Sequence, residues 1–222
     1  VSIYMRKYLL HILIISFVLL SVRIIQSAEK THITLRSSYS VLSLSQVQSM
    51  SNISIRKKDE WGFYGHSTIN HSYEKKSVNG DKVVIDHATG LMWHQSGSRN
   101  YMSWYNAKVW IRNLNISGYA GYQDWRLPTL EEAVSLLESG TRNNLYIDPV
   151  FNDEQWGIWT GDKHGSDGEW SVYFSLGNVR WRIKNRYVRP VRTMKSSAAI
   201  DKDGTIYIAS TDGKLYAIGK KQ

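Results

Sequence analysis

The chain predicts a mixed α+β domain with two central helices and a late antiparallel sheet. Three observations carry that prediction. Apolar residues recur at helical spacing in two central segments, strand-like apolar runs lie before and after them, and Gly, Asn and Asp turn signals separate those runs. The 222 residues are 42% hydrophobic with nine Trp and 14 Tyr, enough apolar material to bury a core of ordinary size.

In chain order, VNGDKVVIDHATGLMWHQ (78–95) reads as a hairpin. It has a turn at Asn79-Gly80-Asp81, an apolar strand, a second turn at Ala88-Thr89-Gly90 and a second strand. In SWYNAKVWIRNLN (103–115), Trp104, Ala107, Trp110 or Ile111, and Leu114 fall on one helical face, with Ser103 placed as N-cap. RLPTLEEAVSLLESG (126–140) predicts a second helix. Thr129 and Glu132 form a capping box, Ala133, Val134, Leu136 and Leu137 make the apolar face, and Gly140 is the expected stop. After Pro149 the strand candidates are WGIWTGD (156–162), WSVYFS (170–175), VRWRIK (179–184) and YVRPVR (187–192). In WSVYFS the alternation predicts that Trp170, Val172 and Phe174 are buried while Ser171, Tyr173 and Ser175 lie on a free face.

At the N-terminal side, Met5-Arg6-Lys7 precedes the apolar run YLLHILIISFVLLSV, and Gln26-Ser27-Ala28 supplies small residues suited to cleavage. This predicts a secretory signal peptide over 1–28 and a secreted, periplasmic or cell-surface destination. An uncleaved membrane anchor is the alternative, but a spanning helix wants about 20 apolar residues. Residues 29–60 read as a leader or linker with one short helix in VLSLSQVQSM, 61–195 as the globular domain, and 196–222 as a β-hairpin tail joined across Asp212-Gly213.

There is no cysteine, which excludes disulfides, thiol catalysis and thiolate metal sites. Basic residues number 28 against 19 acidic, a net +9. Loss of the signal segment removes Arg6, Lys7 and Arg23 and no acid, so the excess falls to six. His87, His94 and His164 are scattered without a paired metal-binding or catalytic spacing, and there is no credible carboxylate pair, so the expectation is a non-enzyme without cofactor or metal. Asp162, Asp167 and Glu169 are near one another, but a calcium ion wants six to eight oxygens and the acidic loop is expected to be merely solvated. No nucleic-acid motif is visible.

DHATGLMW (86–93), GYQDWRLPTLEEAVSLL (121–137), YIDPVF (146–151), GIWTGD (157–162) and WSVYF with YVRPVR (170–192) occur in this order. In this order these motifs resemble the Lcl C-terminal domain family. The resemblance implies a C-type-lectin-like fold, in which two helices pack on a small, mainly antiparallel sheet, and an exported protein used in adhesion or recognition, some members resembling binders of sulfated polysaccharide. Within GYQDWRLPT the residues read as scaffold, with Trp125 and Leu127 buried and Asp124 paired with Arg126.

The segment WSVYFSLGNVRWRIKNRYVRPVR (170–192) further resembles the variable region of diversity-generating retroelement target proteins. Trp170, Val172, Phe174, Gly177, Val188 and Val191 act there as frame. Tyr173, Leu176, Arg180, Trp181, Arg182, Ile183 and Arg186 fall between frame residues, with Asn178 and Asn185 as unaltered remnants. These nine are the expected ligand-binding residues, flanked by Trp159, Asp162 and His164, for a protein or glycan ligand. Exposed Tyr, Trp and Arg are also what such a surface uses. The alternative is a fixed adhesin in which Arg180, Arg182, Lys184, Arg186, Arg189, Arg192 and Lys195 clamp a sulfated polysaccharide or other polyanion. The tail DKDGTIYIASTDGKLYAI resembles one repeat of a PQQ-like β-propeller, which alone cannot close a propeller.

Overall fold

The computed structural model describes residues 33–166, 168–181, 184–194, 197–200, 205–209 and 215–218. The expected signal segment, Asp167, Arg182, Ile183, Lys195 and the Asp212-Gly213 turn lie outside the described residues.

Local turn chemistry builds the first sheet. β3 (Tyr73–Val78) and β4 (Asp81–Asp86) are joined by Asn79 and Gly80, with φ of 53° and 90°, the pair of left-handed residues that a tight hairpin turn requires. β5 (Leu91–His94) pairs with β4, and β9 (Val191–Thr193) with β5, giving an antiparallel sheet ordered β3-β4-β5-β9. β9 is shorter than the expected 187–192 strand, because Arg186 and Tyr187 make isolated bridges to Met102 and Ile158 instead. Cross-strand registers place Val84, Trp93 and Val191 in one row and Ile85, Met92 and Arg192 in the other. The run VVI is apolar throughout because both faces are covered.

The second antiparallel sheet is ordered β1-β2-β8-β7-β6: β1 (Ile53–Asp59), β2 (Gly62–Ser67), β8 (Asn178–Arg180), β7 (Gly168–Tyr173) and β6 (Gly157–His164). Phe63, Val179, Val172 and Ile158 form one cross-strand row, all fully buried. With Val84, Trp93 and Val191 of the first sheet they make the main core. The β6 edge is closed by chain from elsewhere: Leu42 N donates to Lys163 O, Lys163 N to Ser40 O, Tyr187 N to Gly157 O and Trp159 N to Tyr187 O. The β1 edge carries exposed Arg56, Lys57 and Lys58, and the β3 edge of the first sheet carries exposed Lys75 and Lys76.

Residues 33–60 are not a detached leader. They supply β1 and the short α1 (Leu44–Val47), closed by a Ser43/Gln46 capping box, and they cover the β6 edge. Arg36 locks this segment in place. Its Nη1 and Nη2 donate to the two oxygens of buried Asp162 at 2.9 and 2.7 Å, and Asp162 also accepts from Ser40 N and Leu130 N, each at 2.6 Å. Expected as a ligand-site flank, Asp162 is instead a saturated internal acceptor.

α2 (Trp104–Ser117) starts at Ser103, whose side chain accepts from Asn106 N, and ends at Gly118, where φ is 68°. It buries Ala107 and Ile111 against Leu127, Trp159 and Val188. α3 (Leu130–Ser135) has the expected Thr129/Glu132 capping box and buries Leu130, Ala133 and Val134 in the main core. It ends at Leu136 rather than Gly140, since Leu137 O accepts from Ser67 N and Glu138 N donates to Tyr146 O. Trp125 and Leu127 are buried. Arg126, however, forks onto both oxygens of Glu132 at 2.7 Å, while Asp124 takes Arg192 at 2.7 Å, so the expected Asp124–Arg126 pair does not form. The tail is a third antiparallel sheet of three strands rather than one hairpin: β10 (Ser197–Ile200), β11 (Ile206–Ala209) and β12 (Leu215–Ile218). In sum the fold is α+β with antiparallel sheets and few helices.

His94, on β5, stacks on Tyr119 at 4.1 Å, and its Nδ1 accepts from Gly97 N. Burial, reinforced by the charge of Arg189, pushes its pKa down to about 4. Between the ordinary value of 6.5 and 4 the unfolded chain therefore binds a proton that the folded chain refuses, so stability falls as pH drops through that window. Urea unfolding is expected to show a loss of about 3 kcal/mol between pH 7 and pH 4 from this group. Most of that slope should be missing in His94→Asn, and an unchanged slope would reject the assignment.

Candidate functional site

Successive residues of a strand face opposite ways, so the row behind Phe63–Val179–Val172–Ile158 presents the other side of the second sheet. Tyr64, Asn178, Tyr173 and Gly157 align across it, next to the row Gly62, Arg180, Ser171 and Trp159. This face was expected to be free. It is mostly covered, because Ser171, Asn178, Trp159 and Tyr173 are all buried, Trp159 beneath α2 and Tyr173 beneath Arg186.

The seven described members of the nine expected ligand residues therefore separate. Leu176, at 50% exposure, and Asn185 are at the surface. Leu176 sits in the β7–β8 turn, where Gly177 takes φ 62° and any added Cβ would meet the Tyr146 ring at 3.1 Å. Arg180 is half-buried and tied down, its Nη2 donating to Tyr64 Oη at 2.7 Å and pairing with Asp59 at 3.3 Å. Trp181 is half-buried between Trp61 and His164, stacked on the latter at 4.0 Å. His164, a predicted flank, is thus a packing partner, and Trp159 is interior, its Nε1 donating to Met102 O. Asn178 is fully buried with neither amide atom partnered. Arg182 and Ile183 lie outside the described residues.

Tyr173 and Arg186 do come together. The guanidinium lies 3.9 Å from the Tyr173 ring centre and 4.9 Å from that of Trp156. Gly157 makes room for this, since a Cβ there would stand 3.3 Å from Arg186 Cδ and 3.5 Å from Tyr173 Cδ1. Met102 holds the Arg186 backbone through both N–H and C=O. The rings continue outward. Trp156 meets Tyr187 at 5.9 Å, and Tyr187 meets the exposed Tyr101 at 5.9 Å. Arg186 has no carboxylate partner among the described residues, its Nε has no acceptor, and burial pushes its pKa down to about 10, leaving it charged at neutral pH. The participation of Trp156, Tyr187 and Tyr101 has no local signature, because they come from three segments that only the fold brings together.

Among its described members, the expected polyanion clamp at 180–195 is not assembled as a free patch. Arg189 is fully buried, donating to the carbonyls of His94, Gln95 and Asn152 and to Gln155 Oε1. Arg192 pairs with Asp124 and covers the Tyr122 ring at 3.7 Å, and Arg180 and Arg186 are engaged as described. Of the described members, Lys184 alone is exposed. Uncommitted cations occur elsewhere, at a groove of about 310 Å³ lined by Lys75, Lys76, Ser77, Lys82, Val83 and Gln95. Among the described residues no three His, Asp or Glu side chains are grouped to hold a metal ion, and no helix is long and apolar enough to cross a membrane.

Comparison with known proteins agrees with the sequence motifs. The family model for the Lcl C-terminal domain matches residues 82–192, half of the chain, from β4 to β9. No curated protein and no solved structure matches.

Proposed function

Because this chain belongs to the Lcl C-terminal domain family, we propose that it is an exported, non-enzymatic recognition protein. Its domain is C-type-lectin-like, and its ligand surface comprises the β7–β8 turn, residues 184–187 and the Tyr101–Met102 loop. The observation that carries this reading is the charged Arg186 held against Trp156 and Tyr173 without an acidic partner among the described residues, at the inner end of a row of rings that reaches the surface at Tyr101. Aromatic and arginine side chains on a rigid frame supply area and directed hydrogen bonds at small entropic cost. Burial of Tyr173, Asn178 and Arg186 favours a fixed surface over one rewritten by a retroelement, because free substitution at those positions would disturb packing.

A second reading, polyanion binding, is supported by the lysine groove on the β3–β4 hairpin rather than by the arginines of 180–195. One experiment separates the two. A glycan array that includes heparin oligosaccharides is probed with the wild-type chain, with Leu176→Glu/Asn185→Glu, and with Lys75→Ala/Lys76→Ala/Lys82→Ala. The surface reading expects at least a tenfold loss of array binding in the first variant and little change in the second. Binding confined to heparin, weakened by salt and lost in the lysine variant, would reverse the assignment.

A further inference from the structure

This inference rests on the proposed ligand surface and concerns what that surface holds. Four other arginines, each at least partly buried, are matched to acceptors: Arg36 to Asp162, Arg126 to Glu132, Arg192 to Asp124, and Arg189 to four carbonyl oxygens. Arg186 is different. At 7% exposure its guanidinium makes one hydrogen bond among the described residues, to the carbonyl of the neighbouring Asn185. Its Nε is unmet, as in Arg180 and Arg189, but here no carboxylate or set of carbonyls among the described residues takes the terminal nitrogens either. On the same sheet face, directly across from Tyr173, Asn178 is buried with both amide atoms unmet. Buried polar groups are ordinarily satisfied, so two orphans on one face mark a place built for something more than packing.

The surroundings restrict the occupant. A planar guanidinium prefers a carboxylate, which it can take through two parallel hydrogen bonds. The rings of Trp156, Tyr187 and Tyr101 offer apolar faces with polar tips, suited to a compact ring that is apolar on its faces and hydroxylated at its rim. An extended peptide is disfavoured, because the adjoining β6 edge is already hydrogen-bonded to residues 40–42 and to Tyr187 and cannot accept an added strand. We infer that Arg186, with Trp156, Tyr173, Tyr187 and Tyr101, forms a subsite for an acidic sugar, the carboxylate meeting the guanidinium and the sugar ring stacking on the more exposed aromatics.

The test titrates the full chain with D-glucuronate, D-glucose and acetate, following tryptophan fluorescence and ligand-observed NMR. Saturable glucuronate binding is expected, with glucose and acetate each at least tenfold weaker, since one lacks the carboxylate and the other the ring. Arg186→Gln should lose at least tenfold in glucuronate affinity. Tyr101→Ala, at a surface position, should lose several-fold with an unchanged melting temperature, which keeps the test valid if Arg186→Gln folds poorly. Equal binding of glucose and glucuronate, acetate binding as tightly as glucuronate, no binding of any probe, or a Tyr101→Ala protein with full affinity would each overturn the inference. Should array binding still be lost in Leu176→Glu/Asn185→Glu, the ligand surface stands and the acidic-sugar subsite alone falls.

Discussion

Replacing Arg189 is expected to be among the most damaging single changes in this domain. The side chain is fully buried and bridges the end of β5 to the loop before β6 through the carbonyls of His94, Gln95 and Asn152 and Gln155 Oε1. It also lies 4.9 Å from the centre of the Phe151 ring. Burial pushes its pKa down to about 9, so the group is still a cation at neutral pH and depends on those oxygens for solvation. Arg189→Met keeps much of the volume but leaves four acceptors facing a thioether. With each hydrogen bond to a charged donor worth about 1.5–3 kcal/mol, the loss should reach about 4 kcal/mol or more, a large share of a typical domain's 5–15 kcal/mol. Arg189→Lys should recover less than half, because one ammonium cannot span acceptors that a planar fork reaches together. Chemical denaturation reads both variants. An Arg189→Met protein within about 1 kcal/mol of wild type would show that the bridge is dispensable.

Asp162→Ala is expected to release the segment that precedes β1. Four donors converge on this carboxylate, from Arg36, Ser40 and the first turn of α3. Removing it strands two backbone N–H groups and leaves Arg36, whose side chain is 23% exposed, with the longer pair to Glu131 at 3.5 Å as its remaining carboxylate contact. Breaking a buried pair costs about 3–5 kcal/mol, and the partial exposure of Arg36 places the expectation at about 3, a fall in melting temperature of roughly 6–12 °C. Amide hydrogen exchange should report where the loss falls. Protection at Leu42 and Lys163, whose N–H groups seal the β6 edge, should drop before protection in the main core, and a uniform loss would contradict a local latch.

Much of this fold is legible in the sequence where the determinants are local. Asn79-Gly80, Ser103 and the Thr129/Glu132 pair each act within four residues, and each forms as the sequence predicts. The misread features depend on partners far along the chain. Arg36 and Asp162 are 126 positions apart, so 33–60 looks like a leader until the fold joins them. Arg180 finds Asp59 across 121 positions and Arg192 finds Asp124 across 68, and an arginine-rich strand reads the same whether its charges face water or carboxylates. The alternation in WSVYFS correctly places Trp170, Val172 and Phe174 inside, but nothing in six residues reveals that α2 and Arg186 cover the other face. Of the candidate site, Tyr173 and Arg186 are legible as a pair in one segment, and their ring partners are not.

The outer edges of β1 and β3 bear on how copies of the chain behave in concentrated solution. Among the described residues β6 is sealed, whereas no strand pairs with the outer edge of β1 or β3, which carry Arg56, Lys57 and Lys58 on one and Lys75 and Lys76 on the other. Two molecules approaching through either edge bring like charges together before any backbone hydrogen bond can form. Colloidal stability is thereby tied to ionic strength: added salt, or a multivalent anion bridging the lysines, lowers the barrier to edge-to-edge stacking and turns a monodisperse solution toward assembly.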